Sequence, residues 1–470
     1  MICRYHRGTV SAERLSSSPF HGLDSLEAEM AERDVPAISA AALVDGEIVD
    51  ATWGVRSPGD REIRPDTLFQ AASISKAVTA IGVLRLVDQS VLDLDADISD
   101  YLKSWRMPSI GGWEPRLTLR RLLTHSAGLN VHGFPGYRRD VPLPTAPQIL
   151  DGEAPANTEA VRVFMFPGLV SKYSGGGTTI VQLIMEDVTG APFAELMREL
   201  VLQPAGIGSA TFGQPLPDSR HGSEALAHVN GEVVPGGWHV YPEVAPAGLW
   251  CTPTDLVRLV AKVVAAVDGT NDAILSQQSA IQLVTPQFPE VDGGTLALGF
   301  FLEGPQTHRR FGHTGGNAGF QSVLSAAVDG TRAVAVMGNS SGSSGLFKTV
   351  IAAVARNTGW QGFETEADVR PGALAAPRLS FADIPARYQT EDGRVFELVE
   401  LDHHGLGRTL GLVASGQPPL PLQIASAIYY YSSINMVVRL KVEDGEILGL
   451  TLSQLDRDLF ARRIEEADPS

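Results

Sequence analysis

The chain runs Leu68-Phe69-Gln70-Ala71-Ala72-Ser73-Ile74-Ser75-Lys76 where a helix is predicted to begin, and apolar residues then recur at helical spacing as far as Val87. Residues three apart on a helix share a face, so the Ser73 hydroxyl and the Lys76 amine are predicted neighbours. A serine hydroxyl is a poor nucleophile until a base takes its proton, and a lysine partly buried beside it has a lowered pKa and can serve. The first helical turn also offers free backbone N–H groups to a developing oxyanion.

A second motif lies in a glycine-rich stretch, where Tyr173-Ser174-Gly175 follows Pro167-Gly168 and precedes Gly176-Gly177. A tyrosine in such a loop can approach a nucleophile because no bulky neighbour obstructs it. Held near Lys76, its phenol is expected to have a lowered pKa and to relay the serine proton.

A third motif, Gly312-His313-Thr314-Gly315-Gly316, comes just before a β-like run from Phe320 to Val328. It is predicted to lie on a strand, or on the turn entering one, opposite Ser73. A backbone N–H there would complete an oxyanion hole, and His313 would contribute a hydrogen-bond donor or polarise the substrate.

In this order the three motifs resemble those of serine β-lactamases and penicillin-recognising enzymes, most closely the class C β-lactamases, the related DD-peptidases and the family VIII carboxylesterases. The resemblance covers roughly residues 22 to 357 and includes two supporting stretches, Leu122-Leu123-Thr124-His125-Ser126-Ala127-Gly128-Leu129 and Pro246-Ala247-Gly248-Leu249-Trp250. It implies an α+β fold of the β-lactamase/transpeptidase type, with an antiparallel sheet flanked by helices, a helical subdomain, and a site between them.

The resemblance also implies roles for individual residues. Ser73, Lys76, Tyr173 and His313 would be catalytic, and the backbone N–H groups of Ser73 and Gly316 would bind the oxyanion. Lys76 and Tyr173 together would accept the serine proton, with the choice of base left open, and Tyr173 with His313 would protonate the leaving group. The substrate would be bound by three further residues of the motifs, Gly175, Thr314 and Gly315.

Two positions depart from the class C pattern. Those enzymes carry Tyr-x-Asn, whose amide holds the acylamino side chain of the substrate, where this chain has Gly175. They also carry Lys-Thr-Gly, which attracts the β-lactam carboxylate, where this chain has His313. A polar group mispaired with its ligand costs roughly two orders of magnitude in rate. We therefore expect a hydrolase of esters or amides, a short peptide included, with weak β-lactamase activity at most.

The chain has 470 residues, which exceeds the usual size of one hydrophobic core. Residues 1–21 are predicted to be disordered, 22–357 to form the catalytic domain, and 358–386 to be a linker because they collect Pro and Gly. Residues 387–470 hold only β-like runs, the last two joined by a turn at Glu443-Asp444-Gly445, which predicts a small all-β barrel or meander, similar to appendages in this superfamily.

The formal net charge of −17 would repel nucleic acid and anionic membranes. The resemblance implies a small-molecule acyl substrate as the partner. The sequence shows no apolar run long enough to span a membrane and no signal peptide, which favours a cytoplasmic location. Two cysteines, Cys3 and Cys251, exclude a disulfide framework, and Cys251 is predicted to be buried. No zinc-ligand spacing or phosphate-binding glycine motif is seen, so no metal or cofactor is expected.

Three alternatives have lower weight. Gly338-Asn339-Ser340-Ser341-Gly342 fits the G-x-S-x-G elbow of α/β-hydrolases and would make Ser340 the nucleophile, but the doubly wound pattern of that fold is missing. The acyl-enzyme on Ser73 could instead pass its acyl group to an amine or alcohol, in an acyltransferase or peptide cyclase. The chain could also be a non-catalytic penicillin-recognising binding module.

Overall fold

The structure is a computed structural model, and the chain forms two compact units, Met1–Phe363 and Glu364–Ser470. Residues 1–17 and residues 364–383 lie outside the described residues. The described residues are 18–109, 114–164, 167–168, 171–270, 273–288, 295–304, 306–361, 363, 384–390, 395–403, 407–414, 419–426, 429–432, 436–443, 446–454 and 457–464.

Ten α-helices are described in the first unit: α1 Leu26–Glu32, α2 Ile74–Asp88, α3 Leu119–Leu123, α4 Ala146–Asp151, α5 Gly175–Thr189, α6 Phe193–Met197, α7 Val244–Ala247, α8 Pro253–Val267, α9 Gln277–Val284 and α10 Ser344–Thr358. A π-helical turn, Arg198–Leu202, continues α6, and short 3-10 helices occur at Ile98–Asp100, Asp218–Arg220 and Gln306–His308. None of the described helices is long and apolar enough to cross a membrane.

The described strands of the first unit are β1 Ala37–Val44, β2 Glu47–Gly54, β3 Phe69–Gln70, β4 His228–Val229, β5 Glu232–Val233, β6 Trp250–Cys251, β7 Thr295–Leu296, β8 Phe301–Glu303, β9 Arg310–Asn317, β10 Phe320–Ala327 and β11 Arg332–Gly338. Seven of them form one antiparallel sheet in the order β2-β1-β11-β10-β9-β8-β7. The two short pairs β3-β6 and β4-β5 stand apart from it.

The central strands of the sheet are buried on both faces. In β1, Ala41 and Leu43 pack into the larger apolar cluster, whereas Ala40 and Ala42 pack into a second cluster on the opposite face. This alternation follows from the two-residue period of a strand, and helices on both faces explain why β1 is a continuous apolar run. Helices α1 and α10 contribute to the second cluster, and α8 to the larger one.

Helix α2 confirms the helix predicted to follow Ser73, but its burial differs from a single stripe. Its side chains are buried on almost every side, from Ile74 to Leu86, because α2 packs both on the sheet and on other helices. A helix enclosed in this way has no polar face. Its contact with β9 brings the first turn of α2 beside the third sequence motif.

The second unit is a closed barrel of eight antiparallel strands that follow one another in chain order, which explains the regular spacing of β-like runs. The strands are β12 Ala386–Gln389, β13 Val395–His403, β14 Gly407–Ala414, β15 Leu420–Ser426, β16 Tyr429–Ser432, β17 Met436–Glu443, β18 Glu446–Gln454 and β19 Arg457–Ile464. An all-β C-terminal domain is thus confirmed. The predicted turn at Glu443-Asp444-Gly445 includes residues 444–445, which lie outside the described residues.

Residues 18–21, at the end of the N-terminal segment that was predicted to be disordered, are among the described residues. Phe20 is fully buried, and its ring meets that of Trp53 edge to face at 5.9 Å. The predicted disorder of residues 18–21 is therefore wrong, because an aromatic side chain there completes the cluster beneath α1 and α10. Cys251 is buried as predicted.

Candidate active site

Ser73 stands immediately before α2, at the end of a tightly held backbone segment. Ala72 has a φ of 50°, the left-handed region that non-glycine residues rarely adopt. The Ser75 hydroxyl donates to the carbonyl oxygen of Ala72 at 2.5 Å and accepts the N–H of Leu249 at 3.0 Å. Ser75 therefore ties this turn to the Pro246–Trp250 stretch, and Ser73 is the partly exposed serine of the motif.

Lys76 lies one helical turn from Ser73, as the spacing predicts. Its Nζ atom is 3.0 Å from Ser73 Oγ and 3.0 Å from the carbonyl oxygen of Pro246. The side chain is 3% exposed, and desolvation by burial lowers its pKa from 10.5 to about 7. A large neutral fraction of this amine is therefore present at physiological pH.

Tyr173 reaches the same point from the segment that leads into α5. The Lys76 Nζ atom lies 4.9 Å from the centre of its ring, and the Ser73 side chain is close enough to lower the pKa of the phenol. Its position is fixed by His125, since Lys172 N–H donates to the His125 carbonyl at 2.7 Å and Ser174 N–H donates to His125 Nδ1 at 3.3 Å. The hydroxyl, the amine and the phenol therefore converge, as predicted.

The predicted lowering of the Tyr173 pKa is wrong. Burial raises the pKa of this phenol above its ordinary value of 10.0, and the Ser73 side chain offsets only part of that effect. The reason is that removing the phenolate from water costs more than the neighbouring amine, which is itself largely neutral, can recover. Tyr173 is therefore a neutral phenol at physiological pH.

Strand β9 brings the third motif against the start of α2. Gly315 packs so closely there that a Cβ atom would lie 2.2 Å from the carbonyl oxygen of Ala71, and Ser322 Oγ donates to that same oxygen at 2.8 Å. Only glycine fits such an approach. Space beside Gly316 is open, and Thr314 is exposed. Among the described residues, no hydrogen-bond partner is found for the N–H of Ser73.

His313 is 5% exposed, and its ring lies 6.0 Å from that of Tyr173. Its Nδ1 is 2.5 Å from the carbonyl oxygen of Thr314, which can only accept, so the ring proton is on Nδ1. Its Nε2 has no hydrogen-bond partner among the described residues and is an acceptor in this tautomer. Burial, followed by the effect of Lys76, lowers the pKa of His313 to about 3, so the ring carries no positive charge at neutral pH.

Three aromatic side chains near Tyr173 were not singled out from the sequence. The His132 ring lies 4.9 Å from the Tyr173 ring, and the Phe301 ring stacks on Tyr173 at 6.3 Å and meets His313 at 5.1 Å. Phe134 lies two residues after His132 and contacts Gly175. The only feature of the sequence that pointed to His132 and Phe134 was the long irregular stretch that begins at Asn130, since such loops often wall a site.

Ser340 is not placed as a nucleophile. Its side chain is 2% exposed, and its hydroxyl donates to the Asp34 carbonyl at 3.1 Å and accepts the Gly342 N–H at 3.3 Å. These hydrogen bonds hold the segment between β11 and α10 in place. Among the described residues, no group of three or more His, Cys, Asp or Glu side chains could hold a metal ion.

The antiparallel sheet flanked by helices, with a Ser-x-x-Lys pair beside β9, defines the β-lactamase/transpeptidase class of fold. The sequence model of the family described as Beta-lactamase matches residues 23–356. The chain belongs to the beta-lactamase family.

Similar proteins include penicillin-binding proteins, peptidases and an esterase. Penicillin-binding protein 4 of Amycolatopsis lactamdurans is 25% identical over 398 residues, which cover 79% of this chain and 98% of that protein. Esterase EstB of Burkholderia gladioli is 30% identical over 164 residues, which cover 34% of this chain and only 42% of that esterase. The D-alanyl-D-alanine-carboxypeptidase/endopeptidase AmpH of Escherichia coli K12 is 25% identical over 61% of this chain and 74% of that protein.

Solved structures confirm the fold. The octameric penicillin-binding protein homologue from Pyrococcus abyssi superposes with a TM-score of 0.60 and 21% identity, over 94% of this chain and 99% of that chain. The D-amino acid amidase from Ochrobactrum anthropi superposes with a TM-score of 0.56 and 22% identity, over 71% of this chain and 98% of that chain. The chain is thus a β-lactamase-like member of the serine hydrolase superfamily, with esterase and peptidase relatives.

Proposed function

We propose that the protein is a serine hydrolase that forms an acyl-enzyme on Ser73 and hydrolyses a carboxylic ester or amide. The observation that carries this proposal is the 3.0 Å separation of Lys76 Nζ and Ser73 Oγ, combined with a lysine pKa of about 7. A base with a pKa near the working pH is the most effective one for proton transfer.

Lys76 is the base in this mechanism. A neutral amine has two N–H groups and one lone pair, so it can donate to the Pro246 carbonyl while accepting the proton of Ser73 Oγ. Tyr173, as a neutral phenol, cannot be the first acceptor, but it can pass a proton from Lys76 toward the leaving group. His313 does not protonate the leaving group, because its ring N–H already donates a hydrogen bond to the Thr314 carbonyl oxygen.

Ser73 Oγ attacks the substrate carbonyl carbon, and the negative charge develops on the carbonyl oxygen. The N–H groups of Ser73 and Gly316 are the proposed donors to that oxygen, since the first is unpartnered among the described residues and the second borders open space. The leaving group departs with the relayed proton. Water then attacks the ester on Ser73 while Lys76 accepts a proton from it, and that proton passes to Ser73 Oγ as the acid is released.

The relatives support an ester or amide substrate more than a β-lactam. An esterase, a carboxypeptidase and an amidase occur among them. Gly175 has no side-chain amide and the uncharged His313 is not a cation, whereas the β-lactamases that the chain resembles use both groups. Efficient β-lactam turnover is therefore not part of this proposal.

The test is the intact mass of the protein during turnover of a p-nitrophenyl ester, with Ser73→Ala and Ser340→Ala as a matched pair. Wild type and Ser340→Ala should form an acyl adduct, react with a fluorophosphonate and release p-nitrophenolate. Ser73→Ala should do none of these. Undiminished turnover by Ser73→Ala, or no labelling of the wild type, overturns the proposal, and the second result would favour a binding module.

A further inference from the structure

At the start of α5, a phenylalanine ring occupies the space into which a side chain at position 175 would project. A Cβ atom at Gly175 would lie 2.9 Å from Cε2 of Phe134 and 3.0 Å from the carbonyl oxygen of His132. Both separations are shorter than ordinary carbon contacts. The Phe134 ring can therefore occupy this position only because residue 175 has no side chain.

The loop that carries Phe134 is fastened to the same helix end. Gly175 N–H donates to the His132 carbonyl at 2.9 Å, and Gly176 N–H donates to the Val131 carbonyl at 3.2 Å. The Ser174 hydroxyl donates to that Val131 carbonyl at 2.8 Å. Three hydrogen bonds within four residues of Phe134 fix the backbone, so its ring is held over Gly175 two residues from Tyr173.

This corner of the site is lined by aromatic side chains. Phe134 is partly exposed, and His132 and Phe301 extend the surface around the Tyr173 ring. Burial, followed by the effects of Lys76 and Lys172, lowers the pKa of His132, so its ring is neutral at physiological pH. A secondary amide placed against the Phe134 ring would lose hydrogen bonds to water and gain none from that ring, whereas an alkyl or aryl chain loses none.

We propose that Phe134 is a specificity-determining residue and that the acyl group accepted over Gly175 is an apolar alkyl or aryl chain rather than an N-acylamino group. The inference rests on the proposed acyl-enzyme at Ser73. It adds the chemical class of the acyl group, because Phe134 fills the position from which an amide-binding side chain would act. Phe134 contacts the substrate chain and not the reacting atoms.

The experiment compares two esters that differ only in the amide. p-Nitrophenyl pentanoate and p-nitrophenyl N-acetylglycinate have acyl chains of equal length and the same leaving group. The kcat/KM ratio of the two esters is divided by the ratio of their alkaline hydrolysis rates, which removes their different intrinsic reactivity. Wild type should favour the pentanoate by about tenfold or more.

The decisive variant is the double substitution Phe134→Ala with Gly175→Asn, which exchanges the ring for an amide. The preference should move toward the N-acetylglycinate by about a hundredfold, since the apolar contact is lost and an amide partner is gained. If the double variant does not fold, Phe134→Ala alone should move the preference in the same direction by about tenfold, because it removes the apolar contact without adding an amide. Phe347→Ala is the matched control, because Phe347 is a buried phenylalanine in the cluster on the other face of the sheet.

The outcomes separate this inference from the function on which it rests. A ratio that is equal in wild type, Phe134→Ala and the double variant, with turnover still dependent on Ser73, overturns the role of Phe134 and leaves the hydrolase intact. A wild-type preference for the N-acetylglycinate does the same. If neither ester reacts and no fluorophosphonate adduct forms on Ser73, the hydrolase itself is overturned, and the acyl pocket with it. A shifted ratio in Phe347→Ala would also refute a specific role for Phe134.

Discussion

The amine of Lys76 lies 3.0 Å from the carbonyl oxygen of Pro246, a residue 170 positions further along the chain. This contact occupies one N–H of the amine in either protonation state and orients the remaining groups toward Ser73. Because the contact is to a neutral carbonyl and not to a carboxylate, burial is free to lower the lysine pKa. The buried surroundings of Lys76 thus lower its pKa enough for the amine to act as the base.

The pH dependence of kcat/KM follows from that pKa. The neutral amine is the active form, so kcat/KM should rise with pH through a midpoint of about 7 and then level off. His313, with a pKa of about 3, should add no second inflection near neutrality. The check is a profile for p-nitrophenyl pentanoate between about pH 5 and about pH 9. A profile that is flat across this range, or that falls through neutrality, contradicts Lys76 as the base.

Replacing Tyr173 by Phe should reduce turnover in a way that depends on the leaving group. An ethoxide leaving group needs a proton, whereas p-nitrophenolate is stable without one, so Tyr173→Phe should lower kcat/KM for ethyl pentanoate by about a hundredfold and for p-nitrophenyl pentanoate by much less. Both rates are measured on the same preparations. Tyr101→Phe, which removes a hydroxyl that accepts the Asp93 N–H, is the control. An equal loss for both esters would mean that Tyr173 only supports the structure.

Glu243, just before α7, should make the protein less stable as pH rises. It is fully buried, and among the described residues neither of its carboxyl oxygens has a hydrogen bond of good geometry, although the Tyr137 hydroxyl is near enough to affect its pKa. Burial raises the pKa of Glu243 from 4.5 to about 7. A raised native pKa gives stability that is complete below the unfolded pKa and is lost as pH rises from about 4.5 to about 7.

Glu243→Gln removes this titration and should reduce the pH dependence of the free energy of unfolding by on the order of 3 kcal/mol. Urea unfolding at about pH 5 and about pH 8 measures it, and the variant should gain on wild type at the higher pH. The exposed Glu232→Gln should show the same pH dependence as wild type. A Glu243→Gln variant that loses stability equally at both pH values would show that the carboxyl is paired, not isolated.

Several features follow from local sequence alone. Ser73 and Lys76 were predicted as neighbours because helical geometry fixes the relation of residues three apart, whatever surrounds the helix. Five of the eight barrel strands, β13, β14, β16, β17 and β18, were anticipated as β-like runs, since alternation and turn residues are local signals. Glycine at position 315 was part of a recognisable motif, and the structure adds the reason, which is its contact with the Ala71 carbonyl.

The electrostatic and steric character of the site was decided only by the tertiary structure. The pKa of Tyr173 rises, against expectation, because desolvation depends on neighbours such as His125 and Phe301 that are far away in sequence. The Phe134 ring over Gly175 has the same origin, since no periodicity relates residues in a loop to the first turn of a later helix. Sequence therefore determined which groups can react, and long-range packing determined their protonation states and the acyl groups that fit beside them.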